Sequence, residues 1–284
     1  MKLVAIVVLY QPKLEDLIRN ILSYVNDVDL LLAYNNSIVC LDGFSELQPF
    51  RNKILQIGNG ENVGIATALN AAVKWAEDNS YTHLLTLDQD SYFYNDHLTI
   101  FKQLIVDYQM DDIGVYAPNL DNRGNLCFNS NSKVLDVNDT ITSGSIFPTK
   151  TFIKSKGFED GLFIDAVDYE YCYRIKSLYG LRTVIFPEIH LIHEVGYPKR
   201  ILFGFMTDNY SAMRTYFIIR NHIIIWNRYP KLFQKSYKIT LIKLHILNRV
   251  FKIIIGEQNK IYKLKAVVMG ILHGFAKRKG YYKI

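Results

Sequence analysis

Two aspartates, Asp88 and Asp90, flank one glutamine directly after the apolar stretch LLTL at residues 84–87. On an extended segment, side chains at positions i and i+2 point the same way, so these carboxylates are expected to lie together. A divalent cation such as Mg²⁺ or Mn²⁺ relieves their repulsion and prefers such oxygen ligands. Aspartate is also common in turns that follow strands. The pair alone therefore fits either a metal site or an ordinary turn.

The elements around this pair follow an alternating pattern. Continuous apolar runs predict four strands, at residues 4–10, 29–34, 53–58 and 82–88. Apolar residues at helical spacing predict helices from Leu14 to Val25 and from Ile65 to Ala76. Strands that alternate with helices indicate a parallel α/β sheet, whose ligands bind beyond the carboxyl ends of the strands. Asp88 and Asp90 fall at such an end.

The second half of the chain is less regular. A helix is predicted over 95–109, with Asn95 as its N-cap. Residues 119–147 are polar and rich in turn signals, which predicts a hairpin and loops instead of more parallel sheet. A further helix is predicted over 167–179 and a further strand over 181–187.

Three other polar stretches are expected at the same edge of the sheet. YNNS (34–37) follows the second predicted strand, and ENVGIATALN (61–70) places Gly64 where a loop becomes a helix, a position at which backbone amides can bind phosphate. FIDAVDYE (163–170) places acids around a helix start. Each stretch also has an ordinary explanation: a polar turn, a glycine that permits a turn, or acids that suit a helix N-terminus.

The composition excludes several classes of protein. With 284 residues, 49% of them hydrophobic, the chain can bury one substantial core and a smaller appended unit, so disorder is excluded as its main state. Its three cysteines have no CxxC spacing, which favours a reducing cytosol over a disulfide framework or a zinc site. The start, MKLVAIVVLYQP, predicts a first strand and no signal peptide. No apolar run approaches the roughly 18 to 20 residues of a membrane-spanning helix, so a soluble or peripheral protein is expected.

Positive charge is concentrated at the C-terminus. Residues 228–284 hold 14 lysines and arginines against one acid, Glu257, whereas the other 227 residues hold 19 basic and 26 acidic residues. Apolar residues interleave with these cations, as in basic amphipathic helices that lie on anionic membranes. The alternative is a set of helices that packs on the rest of the chain and exposes lysines for solubility. No recognised module supports nucleic-acid binding.

Eight stretches, taken in order, resemble glycosyltransferase family 2 and, within it, the bacterial rhamnosyltransferases of O-antigen and capsule assembly. They are VVLYQP, YNNS, ENVGIATALN, LTLDQDS, ITSGSIFP, FIDAVDYEYCYR, HEVG and RTYFIIRN, and the resemblance runs from about residue 3 to 225. The resemblance implies a type A glycosyltransferase fold, an α/β domain with a mostly parallel central sheet flanked by helices. This catalytic domain would comprise residues 1–227, with a nucleotide-binding half over about 1–92 and an acceptor-binding half over about 93–227, followed by a basic amphipathic helical extension at 228–284.

The resemblance also implies roles for single residues. Asp90 and His193 would hold Mg²⁺ or Mn²⁺ at the donor diphosphate, and Asp168 matches the general base of inverting members. The donor-binding residues implied are Leu9, Tyr10, Asn35, Asn36, Asn62, Gly64, Asp88, Gln89, Asp90, Arg214 and Arg220, and the acceptor-binding residues are Ser143, Gly144, Asp165 and Asp168. One departure is that Asn-Asn stands at 35–36 where family members commonly carry Asp-Asn, at the loop expected to contact the nucleobase.

The function implied is inverting, metal-dependent transfer of L-rhamnose from dTDP-L-rhamnose to a hydroxyl group of a growing cell-surface polysaccharide. The acceptor would be carried on polyprenyl diphosphate, and the enzyme would lie in the cytoplasm, peripheral to the anionic inner face of the plasma membrane. Two alternatives stay open: a family 2 transferase that uses another nucleotide-sugar, and a non-catalytic membrane-associated assembly protein with the same fold. No nucleic-acid partner is expected.

Overall fold

The computed structural model describes residues 1–108, 110–193, 199–200 and 206–284. The chain divides into two compact units. The sheet unit comprises Met1–Phe158 and Tyr171–Glu194, and the helical unit comprises Glu159–Glu170 and Val195–Ile284. The predicted division at residue 227 falls inside the helical unit and remains a prediction.

Within the described residues, a ten-stranded sheet forms the centre of the sheet unit. Its strands are β1 (Leu3–Leu9), β2 (Leu30–Asn35), β3 (Ile54–Ile57), β4 (His83–Leu87), β5 (Ser91–Phe93), β6 (Ile113–Asn122), β7 (Asn125–Leu126), β8 (Leu135–Val137), β9 (Ile146–Pro148) and β10 (Arg182–His193). The main order is β3-β2-β1-β4-β9-β6-β10-β5, with β7 beside β6 and β8 beside β10. β1 pairs in parallel with β2 and β4, and β2 with β3, which confirms the predicted parallel part. Every residue of β1 is buried, as expected for a strand covered on both faces.

The helices of the sheet unit lie between these strands in the sequence. They are α1 (Leu14–Leu22), α2 (Ile65–Asp78), α3 (His97–Asp107) and α4 (Thr149–Lys154), with a 3₁₀ helix at Ser45–Lys53. Side chains of α1 and α3 join those of β1, β2, β4, β6 and β10 in one hydrophobic core. The prediction of Asn95 as the N-cap of α3 is wrong. Its φ of 43° lies in the left-handed region, which asparagine tolerates, and Asp96 takes the N-cap position.

The less regular half of the sheet unit contains the predicted hairpin. β6 turns into β7 at Arg123 and Gly124, whose φ angles of 54° and 82° are typical of a tight hairpin turn. β9 then pairs antiparallel with β4, and β10 continues past the predicted end at residue 187 to reach His193. The longer β10 is important because it carries His193 to the sheet edge described below.

The helical unit contains mainly α-helices. Its elements are a 3₁₀ turn (Asp160–Leu162), the start of α5 (Val167–Tyr179), β11 (Lys199–Arg200), β12 (Met206–Thr207), α6 (Ala212–Arg228), α7 (Lys235–Thr240), a π-helical segment (Leu241–Asn248), α8 (Arg249–Gly256) and α9 (Lys260–Phe275). The predicted helix over 167–179 is confirmed as α5, which continues into the sheet unit. Among the described residues, no helix combines the length and hydropathy that crossing a membrane requires.

The basic C-terminal helices pack on α6. A Cβ atom on Gly274 of α9 would lie 2.8 Å from the Cβ atom of Ile223, and one on Gly270 would lie 3.0 Å from the carbonyl oxygen of Tyr216. Two glycines therefore allow α9 to approach α6 closely. Glu257, the single acid of this region, is buried, and both Arg249 and Lys263 form ion pairs with it, at 2.5 and 2.7 Å. A buried carboxylate paired in this way avoids the cost of an uncompensated charge.

Candidate metal and donor site

Asp88 and Asp90 lie at the carboxyl edge of the parallel part of the sheet. They follow β4, which pairs in parallel with β1, and β1 pairs in parallel with β2. The loops after these three strands therefore meet at one edge, where ligands of such sheets bind. The side chain of Asp88 is 34% exposed and that of Asp90 is 59% exposed, so both carboxylates are open to solvent.

Gln89 fixes the loop that carries the two carboxylates. Its Oε1 accepts a hydrogen bond from the amide of Tyr10 at 2.9 Å, and its Nε2 donates to the carbonyl oxygen of Tyr10 at 3.2 Å. Asn20 of α1 donates to the carbonyl oxygen of Gln89 at 3.0 Å. The hydroxyl of Ser143 accepts a hydrogen bond from the amide of Asp88 at 3.1 Å. The residue between the two like charges thus ties their loop to the end of β1.

The pairing of β5 with β10 brings His193 to the aspartates. Ser91 lies opposite His193 in this antiparallel pair, and its Oγ is 2.6 Å from the Nδ1 atom of the histidine. The same Nδ1 lies 4.0 Å from Oδ2 of Asp88 and 3.9 Å from Oδ1 of Asp90. The structure thus brings the predicted metal residues Asp90 and His193 together and adds Asp88, which the resemblance to family 2 assigned to donor binding. The other residues of HEVG, 194–196, lie outside the described residues.

The donor set of this group suits a divalent cation. One ligand atom from each of Asp88, Asp90 and His193 falls within 4.8 Å of the others. Two carboxylates and one imidazole are ligands that Mn²⁺ and related ions accept. The hydrogen bond between Ser91 and Nδ1 of His193 orients the ring, so Nε2 would be the nitrogen offered to an ion, and support of the second ring nitrogen is typical of histidines that bind metals. The exposed Asp90 carboxylate leaves room for further ligands such as diphosphate oxygens.

The loops after β2 and β3 are joined by asparagine side chains at the same edge. Nδ2 of the buried Asn36 donates to Oδ1 of Asn62 at 3.1 Å, and that oxygen also accepts from the amide of Gly64 at 3.1 Å. Gly64 is the N-cap of α2 with a φ of 84°, a conformation that disfavours any side chain. Asn35 ends β2 beside them. These four residues are therefore neighbours, and their contact with a nucleotide stays a prediction.

Three other predicted site residues are buried beside the aspartate loop. Leu9 and Ser143 are 0% and 1% exposed, whereas Tyr10 is 42% exposed. The amide of Gly144, which is also buried, donates to the carbonyl oxygen of Thr86 at 2.7 Å and so joins its segment to β4. These contacts support the loop from both sides. The predicted donor contacts of Leu9 and Tyr10, and the predicted acceptor contacts of Ser143 and Gly144, stay predictions.

The helical unit carries a second group of predicted site residues. Asp168 lies in the first turn of α5, and its Oδ1 accepts a hydrogen bond from the amide of Tyr169 at 2.9 Å. Asp165 lies three positions earlier, with its Oδ1 3.5 Å from Nε of Arg214. Its Oδ2 is buried without a hydrogen-bond partner among the described residues. Burial raises the pKa of the Asp165 carboxyl, and the nearby Arg214 guanidinium acts in the opposite direction.

Arg220 differs from Arg214 in its environment. The Arg214 side chain is 48% exposed, whereas Arg220 is fully buried in the helical unit. The guanidinium of Arg220 donates to the carbonyl oxygens of Gly161, Leu162 and Gly280. A donor contact of Arg220 stays a prediction, and this burial does not support it.

Two supporting residues were missed by sequence reasoning. Asn20 is 3% exposed among the apolar residues of α1, and a polar residue on an apolar helix face was the signal available for it. Ser91 directly follows the aspartate pair in LDQDS, but its partner His193 is 102 residues away, so local sequence could not reveal the contact.

No protein-family model matches the chain. Over 292 residues the chain is 24% identical to the dTDP-rhamnosyl transferase RfbF of Shigella flexneri, and the match covers 95% of this chain and 94% of that protein.

Solved structures resemble the fold as a whole. A crystal structure of GalNAc-T7 with UDP, GalNAc and Mn²⁺ matches with a TM-score of 0.59 at 11% identity, over 98% of this chain. This chain spans only 56% of the length of GalNAc-T7. Residues 1–349 of S. aureus TarS in complex with UDP match with a TM-score of 0.51 at 13% identity, over 97% of this chain and 72% of that one. The chain therefore has the type A glycosyltransferase fold, as predicted, and resembles a bacterial rhamnosyltransferase along nearly its whole length.

Proposed function

We propose that the protein is an inverting glycosyltransferase that moves L-rhamnose from dTDP-L-rhamnose to a hydroxyl group of a glycan. The observation that carries this proposal is the group of Asp88, Asp90 and His193 at the carboxyl edge of the parallel strands. Similarity to a dTDP-rhamnosyl transferase over 95% of the chain supports the choice of donor.

The proposed role of the acid and histidine group follows from the charge that develops in the reaction. Cleavage of the bond between a sugar and a nucleoside diphosphate leaves negative charge on the departing phosphate. Asp88, Asp90 and His193 would hold a divalent ion, whose positive charge would stabilise this leaving group. The hydrogen bonds of Gln89 to Tyr10 hold the carboxylates in place before the donor binds. Such preorganisation avoids a reorganisation cost during the reaction.

Asp168 is the proposed general base. A hydroxyl group is a weak nucleophile at neutral pH, so a carboxylate within hydrogen-bond reach must accept its proton during attack. The proton moves from the acceptor hydroxyl to the Asp168 carboxylate as the new carbon–oxygen bond forms. The bond from the anomeric carbon to the diphosphate breaks, and its electron pair leaves with the diphosphate. A single displacement of this kind inverts the anomeric configuration.

A second nucleotide-sugar is the alternative donor. Two of the similar solved structures, GalNAc-T7 and TarS, hold UDP, which favours a test of UDP-sugars beside the dTDP-sugar. The Asn35-Asn36 pair, in place of the Asp-Asn of family 2, also makes base selection worth testing.

The proposal is tested by a donor screen followed by a transfer assay. Binding of dTDP-L-rhamnose and of several UDP-sugars is measured by thermal shift with Mn²⁺ or Mg²⁺, and transfer is measured with a polyprenyl-linked glycan extract. We expect metal-dependent transfer from dTDP-L-rhamnose. Transfer from a UDP-sugar alone would identify the alternative donor, and no binding of any nucleotide-sugar would favour a non-catalytic assembly protein.

Ser91→Ala tests the support of His193. Loss of the hydrogen bond that orients the imidazole is expected to lower the Mn²⁺ affinity about 10- to 100-fold, as loss of such partners does in other metal sites. Titration followed by electron paramagnetic resonance of free Mn²⁺ measures the affinity. Ser130→Ala, on an exposed loop, is the matched control. An unchanged affinity in Ser91→Ala would remove this serine from the site.

We also propose that the protein binds the anionic inner surface of the plasma membrane through residues 228–284, where a polyprenyl-linked acceptor would lie. Half of the exposed large hydrophobic side chains among the described residues belong to this segment. Those on the helical stretch 235–256 are Ile239, Ile242, Leu244, Leu247, Phe251 and Ile254. Exposed lysines such as Lys235 and Lys243 lie on the same stretch. Apolar side chains beside cations are the combination that anionic lipid surfaces bind.

The membrane proposal predicts a large effect from two apolar residues. Replacing Leu247 and Phe251, 62% and 44% exposed, with serine is expected to lower partition onto phosphatidylglycerol vesicles at least about tenfold, because both lose apolar area available for burial. Flotation measures the partition. Leu178→Ser, on an apolar residue that is 69% exposed outside this segment, is the matched control. Equal flotation of the double variant and the wild type would contradict the proposal.

A further inference from the structure

The loop before α5 has an unusual backbone. Residues 161–166, termed the 161–166 loop, contain three non-glycine residues with positive φ: Phe163 at 67°, Asp165 at 62° and Ala166 at 60°. Residues with a Cβ atom are uncommon in this region because the side chain crowds the backbone. Such a conformation persists only where surrounding contacts hold it, and strained segments of this kind cluster at functional sites. The loop carries Asp165 and leads directly into the helix turn that contains Asp168.

Two neighbouring side chains of α6 hold this loop by its carbonyl oxygens. Nη2 of Arg220 donates to Gly161 at 2.9 Å and to Leu162 at 3.1 Å. Nδ2 of Asn221 donates to the carbonyl oxygens of Leu162, Ile164 and Asp165 at 2.9, 2.7 and 2.8 Å. We call this arrangement the carbonyl clamp.

The clamp is itself fixed in orientation. Nε of Arg220 donates to Oδ1 of Asn221 at 2.8 Å, which directs the amide nitrogen of the asparagine toward the loop. Both side chains are 0% exposed, and the Arg220 guanidinium packs 4.6 Å from the ring centre of Phe217. Burial lowers the pKa of Arg220. The sequence spacing cannot distinguish this buried arginine from Arg214, which is half exposed and lies beside the Asp165 carboxylate.

We propose that Arg220 and Asn221 are positioning residues that hold the 161–166 loop, and through it the start of α5, in the geometry that the reaction requires. They do so through backbone carbonyl oxygens and without touching the donor. This assignment rests on the proposed function, because it takes Asp168 as the general base. It replaces the predicted donor contact of Arg220 with an indirect role.

A positioning role has a kinetic signature that a purely structural role lacks. A misplaced general base slows the chemical step, whereas binding of the donor is retained, so kcat falls and the donor KM does not rise. Loss of fold stability alone would instead lower the melting temperature and the yield while leaving kcat per folded molecule unchanged. Loss of a donor contact would raise the donor KM.

The test uses the full chain with Asn221→Leu, which keeps the side-chain size and removes all three donated hydrogen bonds. We expect kcat to fall about 10²-fold with the donor KM within about threefold of the wild type. Hydrogen exchange followed by mass spectrometry is expected to show faster exchange of the peptide that covers the loop and the first turn of α5. Ile223→Ala, on the same helix but against Gly274, is the matched control and should lower stability without these two effects.

The design separates the possible failures. If Asn221→Leu does not fold, Asn221→Ser, which keeps one hydroxyl donor, is expected to give a smaller loss in kcat and a smaller rise in exchange. A kcat within threefold of the wild type despite a loosened loop would overturn the positioning role and leave the proposed function intact. A raised donor KM in Arg220→Lys or Asn221→Leu would return these residues to donor binding. If the wild type transfers no sugar, the proposed function fails. Unchanged hydrogen exchange of the loop in the variants would refute the role of the carbonyl clamp, whatever the transfer assay shows.

Discussion

Asp168→Asn is expected to lower the rate of sugar transfer about 10²- to 10⁴-fold, the usual contribution of a general base. Asparagine keeps the shape of the side chain and its ability to accept a hydrogen bond from Tyr169, but it cannot take a proton from the acceptor. Because the proposed base would act on the acceptor hydroxyl, the affinity for the nucleotide-sugar should be unchanged. Transfer assays and calorimetric titration with the donor measure the two quantities.

Asp208→Asn is the control for this variant, since Asp208 is an exposed aspartate of the same helical unit. It should transfer sugar at the wild-type rate. A near-native rate in Asp168→Asn would remove Asp168 from the role of base, and Asp165 would then be the next carboxylate to test.

Asp90→Ala is expected to abolish tight Mn²⁺ binding and to lower transfer by at least about 10²-fold. One of the two carboxylates proposed to hold the ion is lost, and the charge proposed to stabilise the departing diphosphate would be lost with it. Mn²⁺ titration by electron paramagnetic resonance gives a readout that does not depend on the acceptor. The thermal shift caused by the nucleotide-sugar should also lose its dependence on the metal.

Asp78→Ala is the matched control for the metal experiment. Asp78 lies on α2, is 59% exposed and, among the residues that the structure describes, forms a surface ion pair with Lys74. Its removal should cost at most about 1 kcal/mol of stability and no metal affinity. Unchanged Mn²⁺ titration in Asp90→Ala would refute the metal site, and the function proposed from it would then need another basis.

Local sequence patterns predicted the parallel half of the sheet because each of its strands is a short apolar run that is followed by a polar turn. β1 and β4 were recognised in this way, and the parallel rule then placed Asp88 and Asp90 at the ligand-binding edge. The start of α2 was also predictable, because Gly64 permits the positive φ with which the loop becomes a helix. These features depend on neighbours in the sequence.

The remaining features depend on residues that are distant in the sequence. β9 lies beside β4 and β5 lies beside β10, and no local periodicity indicates either pairing. His193 reaches the aspartates only because β10 is longer than its apolar pattern suggested. Likewise, Arg214 and Arg220 look equivalent in the RTYFIIRN stretch. The packing of α6 nevertheless buries Arg220 and leaves Arg214 half exposed.

The close approach of α6 and α9 limits how chimeric enzymes can be built. Exchanging only residues 228–284 with a related transferase would set a foreign helix against Ile223 at a distance that tolerates no side chain at position 274. Exchanging α6 as well would keep that interface. The incoming helix would then have to supply the hydrogen bonds to the carbonyl oxygens of the 161–166 loop. A functional chimera therefore needs both helices from one parent, with an arginine and an asparagine at positions 220 and 221 to bind the loop of the recipient.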